Sequence, residues 1–197
     1  MPEKLTRTQK RKKQTRERIF RVAMELFERK GFENTTVAEI TEAADIGKGT
    51  FFTYFPTKEA IFRQPGEMAM ENMSIAAQDG LDAGQPLAEI LKNVLTASAD
   101  WHATNKSISR QMSKSSFAFS MDDPSSNKGR LIDMLTQLVE TGQKNGQFNP
   151  KLNARDAAIV LAGMYFTVIT IWAYSESGSL RERMESSANV VLNGLLA

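Results

Sequence analysis

The 197-residue chain contains no cysteine and only one histidine, His102. Without cysteine there are no disulfide frameworks, thiolate zinc sites or cysteine nucleophiles. A multi-histidine metal site or a Ser-His-Asp triad would have to be built around His102, so neither a metal site nor metal catalysis is expected. No segment alternates with period two, and no internal repeat, glycine-rich phosphate loop or nucleophile elbow is present. Asp122-Asp123 and the couple Asp100 with His102 are the nearest approach to acid–base chemistry. The adjacent aspartates precede Pro124-Ser125-Ser126-Asn127, which reads as a turn or helix cap. The chain is therefore not expected to be an enzyme, and no cofactor is expected. The basic N-terminal stretch is not followed by an apolar core segment, so it does not read as a secretory signal, and the expected address is the cytoplasm.

A composition of 41% hydrophobic and 24% charged residues belongs to a folded globular chain rather than a disordered one. The net charge of +2 is unevenly spread: residues 1–63 hold 14 basic and 9 acidic side chains, and residues 64–197 hold 11 and 14. The first twenty residues alone carry eight basic side chains: Lys4, Arg7, Lys10, Arg11, Lys12, Lys13, Arg16 and Arg18. Such an arm is either a solvated tail or a surface for a polyanion, meaning nucleic acid or anionic lipid.

Apolar spacing predicts helices almost throughout. Ile19, Val22, Ala23, Leu26 and Phe27 mark a helix over 15–30, ended by Gly31. Thr36 and Glu39 form a capping-box signature that opens a short second helix. Asp45-Ile46-Gly47 breaks it, and a third helix over 48–55 turns Phe51 and Phe55 inward. Pro56 stops the chain, and Thr57 caps a fourth helix beginning at Lys58. Further helices are expected over 87–101, 106–119, 130–144, 154–174 and 180–196, with a loop over 122–127. The fold class is all-α.

Two short helices joined by a tight glycine-containing turn, laid across a longer first helix, form a helix-turn-helix. The second helix of such a pair enters the major groove of DNA. Its outward positions here are Lys48, Gly49, Thr50, Phe52, Thr53 and Tyr54, and no acidic side chain lies between Lys48 and Lys58. Lysine can donate to guanine or phosphate, threonine can touch a thymine methyl, and glycine lets the backbones approach closely.

The run Gly31-Phe32, Thr35-Thr36-Val37-Ala38-Glu39-Ile40 and Ala43-Ala44-Asp45-Ile46-Gly47-Lys48-Gly49-Thr50-Phe51-Phe52-Thr53-Tyr54-Phe55-Pro56-Thr57-Lys58-Glu59 resembles the N-terminal domain of the tetracycline-repressor (TetR) family. The resemblance covers about residues 13–63. It implies a homodimeric transcriptional regulator, usually a repressor, released from double-stranded operator DNA by a small ligand. Carried over by position, it implies DNA-backbone contacts from Thr36, Tyr54 and Lys58. It implies base or groove contacts from Lys48, Gly49, Thr50, Phe52 and Thr53. Gly47 stands where the family usually has serine, and Phe52 where tyrosine is common. The first change removes a hydroxyl cap at a cost of a few tenths of a kcal/mol. The second removes a hydrogen-bond donor. The family pattern does not extend to the basic arm over 4–13, which is expected to be a floppy tail.

The organisation expected is a helix-turn-helix domain over 1–62, carrying the basic arm, and a ligand-binding, dimerising domain over 63–197. Residues 157–174 form an eighteen-residue run without charge. Eighteen residues just reach the span of a bilayer ~30 Å thick. Thr167, Thr170 and Gly163 dilute the run, no basic cluster flanks it, and an amphipathic helix follows, so burial rather than a membrane is expected. The last two helices are the expected homodimer seam. An effector pocket is expected among Trp101, His102, Arg110, Met112, Phe117, Met134, Tyr165 and Trp172, with Met68, Met70, Met73, Phe119, Met121 and Phe166 as further apolar candidates. Methionine-rich linings suit a loosely specific hydrophobic guest. His102, Arg110 and Lys114 are the polar anchor candidates, Arg110 first, because a guanidinium grips an anion through two N–H groups.

Overall fold

A computed structural model describes residues 6–116 and 126–196; Lys4 and the Asp122-Asp123 turn lie outside that range. The described residues hold α-helices, one short 3-10 turn and a single isolated bridge between Phe148 and Leu196, so the fold is all-α. The chain divides into two compact units, Met1–Gln64 and Pro65–Ala197.

The first unit is built on α1 (Arg7–Lys30). It starts well ahead of residue 15 because Thr6 and Gln9 form a reciprocal capping box: the Gln9 amide donates to Thr6 Oγ1 at 3.3 Å, and the Thr6 amide donates to Gln9 Oε1 at 2.7 Å. The basic stretch from Arg7 to Lys13 is thus the opening of a helix rather than the floppy tail the sequence suggests. Arginine, lysine and glutamine are good helix formers, so a capped start carries the helix through them. Ile19, Ala23, Leu26 and Phe27 are buried, and Gly31 ends the helix at φ 84°, a left-handed geometry that glycine adopts without strain. Phe27, Phe32 and Phe62 then cluster, with ring centroids 5.0, 5.6 and 4.9 Å apart.

Helices α2 (Val37–Ala43) and α3 (Lys48–Tyr54) complete this unit. The turn between them passes through Asp45 at φ 49°, and the Ile46 amide donates to the Thr41 carbonyl at 3.0 Å. Aspartate tolerates this left-handed position better than most side chains. After Pro56, Thr57 Oγ1 accepts the Ala60 amide at 3.2 Å, and a 3-10 turn (Glu59–Phe62) leads into α4 (Arg63–Asp82).

The second unit comprises α4, α5 (Leu87–Thr96), α6 (Ala99–Thr104), α7 (Lys106–Ser116), α8 (Asn127–Lys144), α9 (Ala154–Tyr174) and α10 (Leu180–Asn193). The helix expected over 87–101 is split at Ala97-Ser98, where buried Ser98 Oγ lies 2.7 Å from the Tyr165 hydroxyl. That tertiary bond holds Ser98 where a continuous helix would have carried it onward. Helix α8 starts earlier than expected because Ser126 Oγ accepts the Gly129 amide at 3.0 Å. The core is layered from Ile90, Leu91, Val94 and Leu95 of α5, Leu131, Leu135 and Val139 of α8, Leu161, Tyr165 and Trp172 of α9, and Met184, Ala188 and Leu192 of α10. Helix α9 packs against α7, α8 and α10. By length and composition α9 could span a membrane, yet eight of its residues, including Ala158, Leu161 and Ile169, are buried inside this unit.

Gly142 of α8 is where Phe148 folds back onto the helix. A Cβ there would lie 2.1 Å from the Phe148 ring, which is itself buried. Overpacking of this kind costs about 1–3 kcal/mol or more. Gly142→Ala is therefore expected to lower the stability of the second unit by at least about 2 kcal/mol. Urea unfolding followed by the fluorescence of Trp101 and Trp172, both in this unit, measures it; an unchanged midpoint would contradict the packing described.

Candidate nucleic-acid interface and internal cavity

Helix α3 is held from beneath by Phe51 and Phe55, both buried, with ring centroids 5.8 Å apart. That registration leaves Lys48, Gly49, Thr50, Phe52 and Thr53 exposed and Tyr54 half-buried. Phe52 is 51% exposed, a large apolar area to leave in water. Thr53 Oγ1 donates back to the Gly49 carbonyl at 2.9 Å, which uses its one donor and leaves its oxygen able to accept. Gly47 caps the helix with no side-chain bond. A Cβ at Gly49 would meet nothing within 4 Å, so the space above this turn is open.

The first turn of α2 is fixed by charge. Thr36 Oγ1 accepts the Glu39 amide at 3.3 Å, and the Thr36 amide donates to Glu39 Oε2 at 2.8 Å. Lys30 donates to the other carboxylate oxygen. The Lys30 bond, followed by those from Thr36, holds the Glu39 carboxyl down to about 2. The carboxylate therefore stays ionised as the acidic member of a capping box and is already engaged.

Lys58, expected to contact the DNA backbone, makes bonds within its own unit. Its Nζ donates to the Phe32 carbonyl at 2.8 Å and the Thr35 carbonyl at 3.0 Å, and it lies 4.1 Å from the centroid of the Phe32 ring. Two of its three donors thus tie the 3-10 turn to the α1–α2 loop. Lys58→Ala is expected to raise amide hydrogen exchange across α1–α3 by an amount equivalent to about 1–3 kcal/mol. Exposed Lys48→Ala should leave exchange unchanged; equal protection in the two variants would rule out the tying role.

The second unit contains a partly open cavity of about 380 Å³. Its walls come from α4 (Pro65, Gly66, Ala69, Met70, Met73), α6 and α7 (His102, Ser109, Met112, Ser113), α8 (Asn127, Lys128, Leu131) and α9 (Gly163, Tyr165, Phe166, Thr167, Ile169, Thr170, Ile171). Of the residues expected to form a pocket, His102, Met112 and Tyr165 line it, as do Met70, Met73 and Phe166. Phe117, Phe119 and Met121 lie outside the described residues, as does the side chain of Lys114.

Four expected pocket residues do other work. Arg110 Nε and Nη2 donate to the Ala173 carbonyl at 3.1 and 3.0 Å, and its guanidinium lies 5.3 Å from the Tyr174 ring centroid. It closes the C-terminal end of α9, where unpaired carbonyls attract cations. Trp172 Nε1 donates to the Gly178 carbonyl at 2.9 Å, and Lys106 lies 4.8 Å from its ring centroid. Met134 packs beside the core and receives Ser74 Oγ at 4.0 Å. Trp101 meets the edge of His102 at 5.2 Å and does not line the cavity. Met68 is exposed.

The sequence reading missed Asn127 and Lys128. Lys128 Nζ stands 5.4 Å from the Phe166 ring centroid, and burial lowers the pKa of its ammonium. The missed signal is Ser126 followed by Leu131, Ile132 and Leu135. Extending that helix back to its cap places Lys128 one turn before Leu131, on the same face.

Buried polar groups border the cavity in pairs: His102 Nδ1 with Ser109 Oγ at 2.8 Å, and the Ser113 hydroxyl donating to the Ser109 carbonyl at 2.9 Å. Burial pushes His102 down to about 4 and the Tyr165 phenol up to about 12. Both are neutral at pH 7. An unfolded histidine takes its proton near 6.5. Between that pH and about 4 the unfolded chain is protonated first, so stability is full above 6.5 and falls as pH drops through this window. The loss is on the order of 3 kcal/mol. Comparing urea midpoints at pH 7.5 and pH 5, read by tryptophan fluorescence, should show His102→Gln less pH-sensitive than wild type. An identical slope would mean that His102 is solvated.

Among the described residues no cluster of three or more His, Asp or Glu could hold a metal. Residues 19–64 match the family model described as bacterial regulatory proteins, tetR family. The chain is 37% identical over 86 residues to YerO, an uncharacterised helix-turn-helix transcriptional regulator of Bacillus subtilis strain 168, a match covering 42% of this chain and 29% of that one. It is 36% identical over 77 residues to the regulator TcmR of Streptomyces glaucescens, covering 39% and 34%. The matched part thus spans about a third of the length of these curated relatives. Across the whole fold, the chain is similar to the solved structure of the Thermus thermophilus TetR-family repressor FadR in complex with lauroyl-CoA. That superposition has a TM-score of 0.72 at 29% identity, covering 92% of this chain and 95% of that one.

Proposed function

From the premise that this chain belongs to the TetR family of bacterial transcriptional regulators, we propose that it is a sequence-specific DNA-binding repressor, released from its operator by a small, largely hydrophobic effector. The observation that carries the first half is the α3 surface: an exposed, acid-free face standing on two buried phenylalanines. Lys48, Gly49, Thr50, Phe52 and Thr53 meet base edges and groove walls, and Thr36 and Tyr54 meet phosphates. Lys58 offers its remaining N–H beside the bonds that anchor it. The exposed basic residues of α1 add a salt-sensitive attraction that does not depend on sequence.

One short helix reads too few bases for tight specificity, so two copies act as a symmetric pair with their reading helices about 34 Å apart. Self-association runs through α9 and α10. Val160 is 56% exposed, Ile171 59% and Val190 74%, on helices whose opposite faces are the core. That exposed apolar surface, with Glu182 and Arg183 of α10 beside it, is what an isologous interface buries. The effector occupies the cavity of the second unit, whose lining is mainly apolar, as the acyl ligand of the Thermus thermophilus relative also suggests. Release follows if the effector binds more tightly to the geometry that does not fit the operator. The chain is a regulator rather than an enzyme, working in the cytoplasm without a cofactor or a membrane partner.

Selection of bound sequences from a random duplex library at near-physiological salt tests this reading. A palindromic motif is expected, bound by a species of twice the 22.0 kDa monomer mass. Combined Lys48→Ala and Tyr54→Phe should lower affinity for that motif at least tenfold, the loss of one good base contact and one phosphate contact. Salt-sensitive binding with no motif would overturn the reading.

A further inference from the structure

His102 is the chain's only histidine, and its imidazole borders the cavity from α6. The bonds around Ser109 assign its tautomer. Ser109 Oγ stands 2.8 Å from His102 Nδ1, 3.0 Å from the Asn105 carbonyl and 3.4 Å from the His102 carbonyl. A hydroxyl has one proton to give, and a carbonyl oxygen can only accept. If Ser109 gave its proton to Nδ1, its lone pairs would face two carbonyl oxygens. Given to Asn105, the proton makes one bond and leaves Oγ to accept a second from Nδ1–H. Burial keeps the ring neutral at pH 7, so a proton on Nδ1 leaves Nε2 a bare lone pair. Nε2 has no partner among the described residues yet is not sealed in, so it opens on the space that His102 borders, which is the cavity. Ser113, one turn along α7 from Ser109, has likewise spent its proton, on the Ser109 carbonyl at 2.9 Å. His102, Ser109 and Ser113 therefore offer the cavity acceptors and no donor.

We propose that the cavity selects an uncharged amphiphile carrying a hydroxyl group, an alcohol or a phenol, whose O–H donates to His102 Nε2 while its apolar body lies along Met70, Met73 and Leu131. An ether of the same size fills the space but covers Nε2 without giving it a donor, which costs the full desolvation of that atom. A carboxylate brings negative charge to a wall of lone pairs. The Lys128 ammonium, beside the Phe166 ring, is already engaged and does not offset that. The volume of about 380 Å³ admits roughly a dozen non-hydrogen atoms at ~30 Å³ each, close to the share that a water occupies. This inference rests on the cavity being the effector site. It is measured on the free protein, so its failure is distinct from failure of the DNA-binding reading.

The probes are 4-butylphenol and its isomer 4-propylanisole, with 4-propylbenzoate as the anion, titrated calorimetrically into the full chain. Wild type is expected to bind the phenol at least about tenfold more tightly than either of the others. His102→Phe should weaken the phenol by about tenfold and leave the anisole within about threefold, and retained anisole binding shows that the variant still forms the cavity. Because the chain has a single histidine, nitrogen-15 NMR of the wild-type imidazole reads the tautomer directly. The proton is expected on Nδ1, and the Nε2 resonance should move on adding the phenol but not the anisole. A proton on Nε2 in the free protein, equal affinity for phenol and anisole, tighter binding of the benzoate, unchanged phenol binding in His102→Phe, or no binding of the phenol would each overturn the inference. If His102→Phe lost both probes, the wild-type affinity ratio and tautomer would still decide it. The duplex selection, run in parallel on wild type, reports separately on the regulator itself.

Discussion

Helix α9 carries no charge from Ala157 to Tyr174, and the architecture of the second unit follows from that one constraint. A helix apolar all round must bury more than one face. Its stripe of Leu161, Tyr165, Ile169 and Trp172 fills the core against α7, α8 and α10. Gly163, Thr167 and Thr170 leave room beside that stripe, and the cavity opens there, where small and polar side chains interrupt the packing. Val160 and Ile171 remain in water on the outer side. Core, cavity wall and unpartnered surface are therefore three faces of one helix. Its two ends are closed by side chains from different sources: Asn153 Oδ1 accepts the Asp156 amide, and Arg110 reaches the Ala173 carbonyl.

The first unit solves a different problem, which is how to present a short helix rigidly. Seven residues of α3 cannot hold themselves in a helix in water. Phe51 and Phe55 supply the buried anchor, and the α1–α2 loop beneath is fixed by the bonds that Lys58 and Thr35 make to its carbonyls. Cations that would otherwise compete for phosphate are engaged inward: Lys30 with Glu39, and Arg16 5.7 Å from the Phe55 ring centroid. These contacts help set the geometry of the unit.

Local signals carried most of the fold. The caps at Thr36, Asn153 and Ser179 and the stop at Gly31 are written in adjacent residues, and α2, α9 and α10 begin where those residues say. What was not legible depends on distant partners or on patterns masked by charge. The break at Ser98 comes from Tyr165, sixty-seven residues away. Arg110 was read by what a guanidinium can bind in general, whereas its partner is a carbonyl sixty-three residues on. The start of α1 was hidden because its residues register as charge before they register as helix formers, although the Thr6–Gln9 box was there to be read. Apolar type put Trp172 and Met134 among the pocket candidates, and both pack in or against the core instead. It could not say on which side of them the void would lie, because a cavity is a property of several helices at once.

The outer face of α9 and the cavity meet on a single helix. Ile171 lines the cavity and also borders the shallow groove formed with Val168, Glu182, Arg183, Ser186 and Ser187 of α9 and α10. Packed interiors transmit displacement rather than absorbing it, because side chains at close-packed density have nowhere to relax. A guest that fills the cavity presses on Phe166, Ile169 and Thr170 from one side. The same turns of helix present Tyr174 and the exposed part of Ile171 to the proposed second copy. In the dimer proposed above, occupancy would need no long pathway to bias the pairing of the two subunits, because one helix carries both faces. A pairing change of that kind alters the spacing of two reading heads without altering either head, which is the economy that a symmetric dimer offers a regulator.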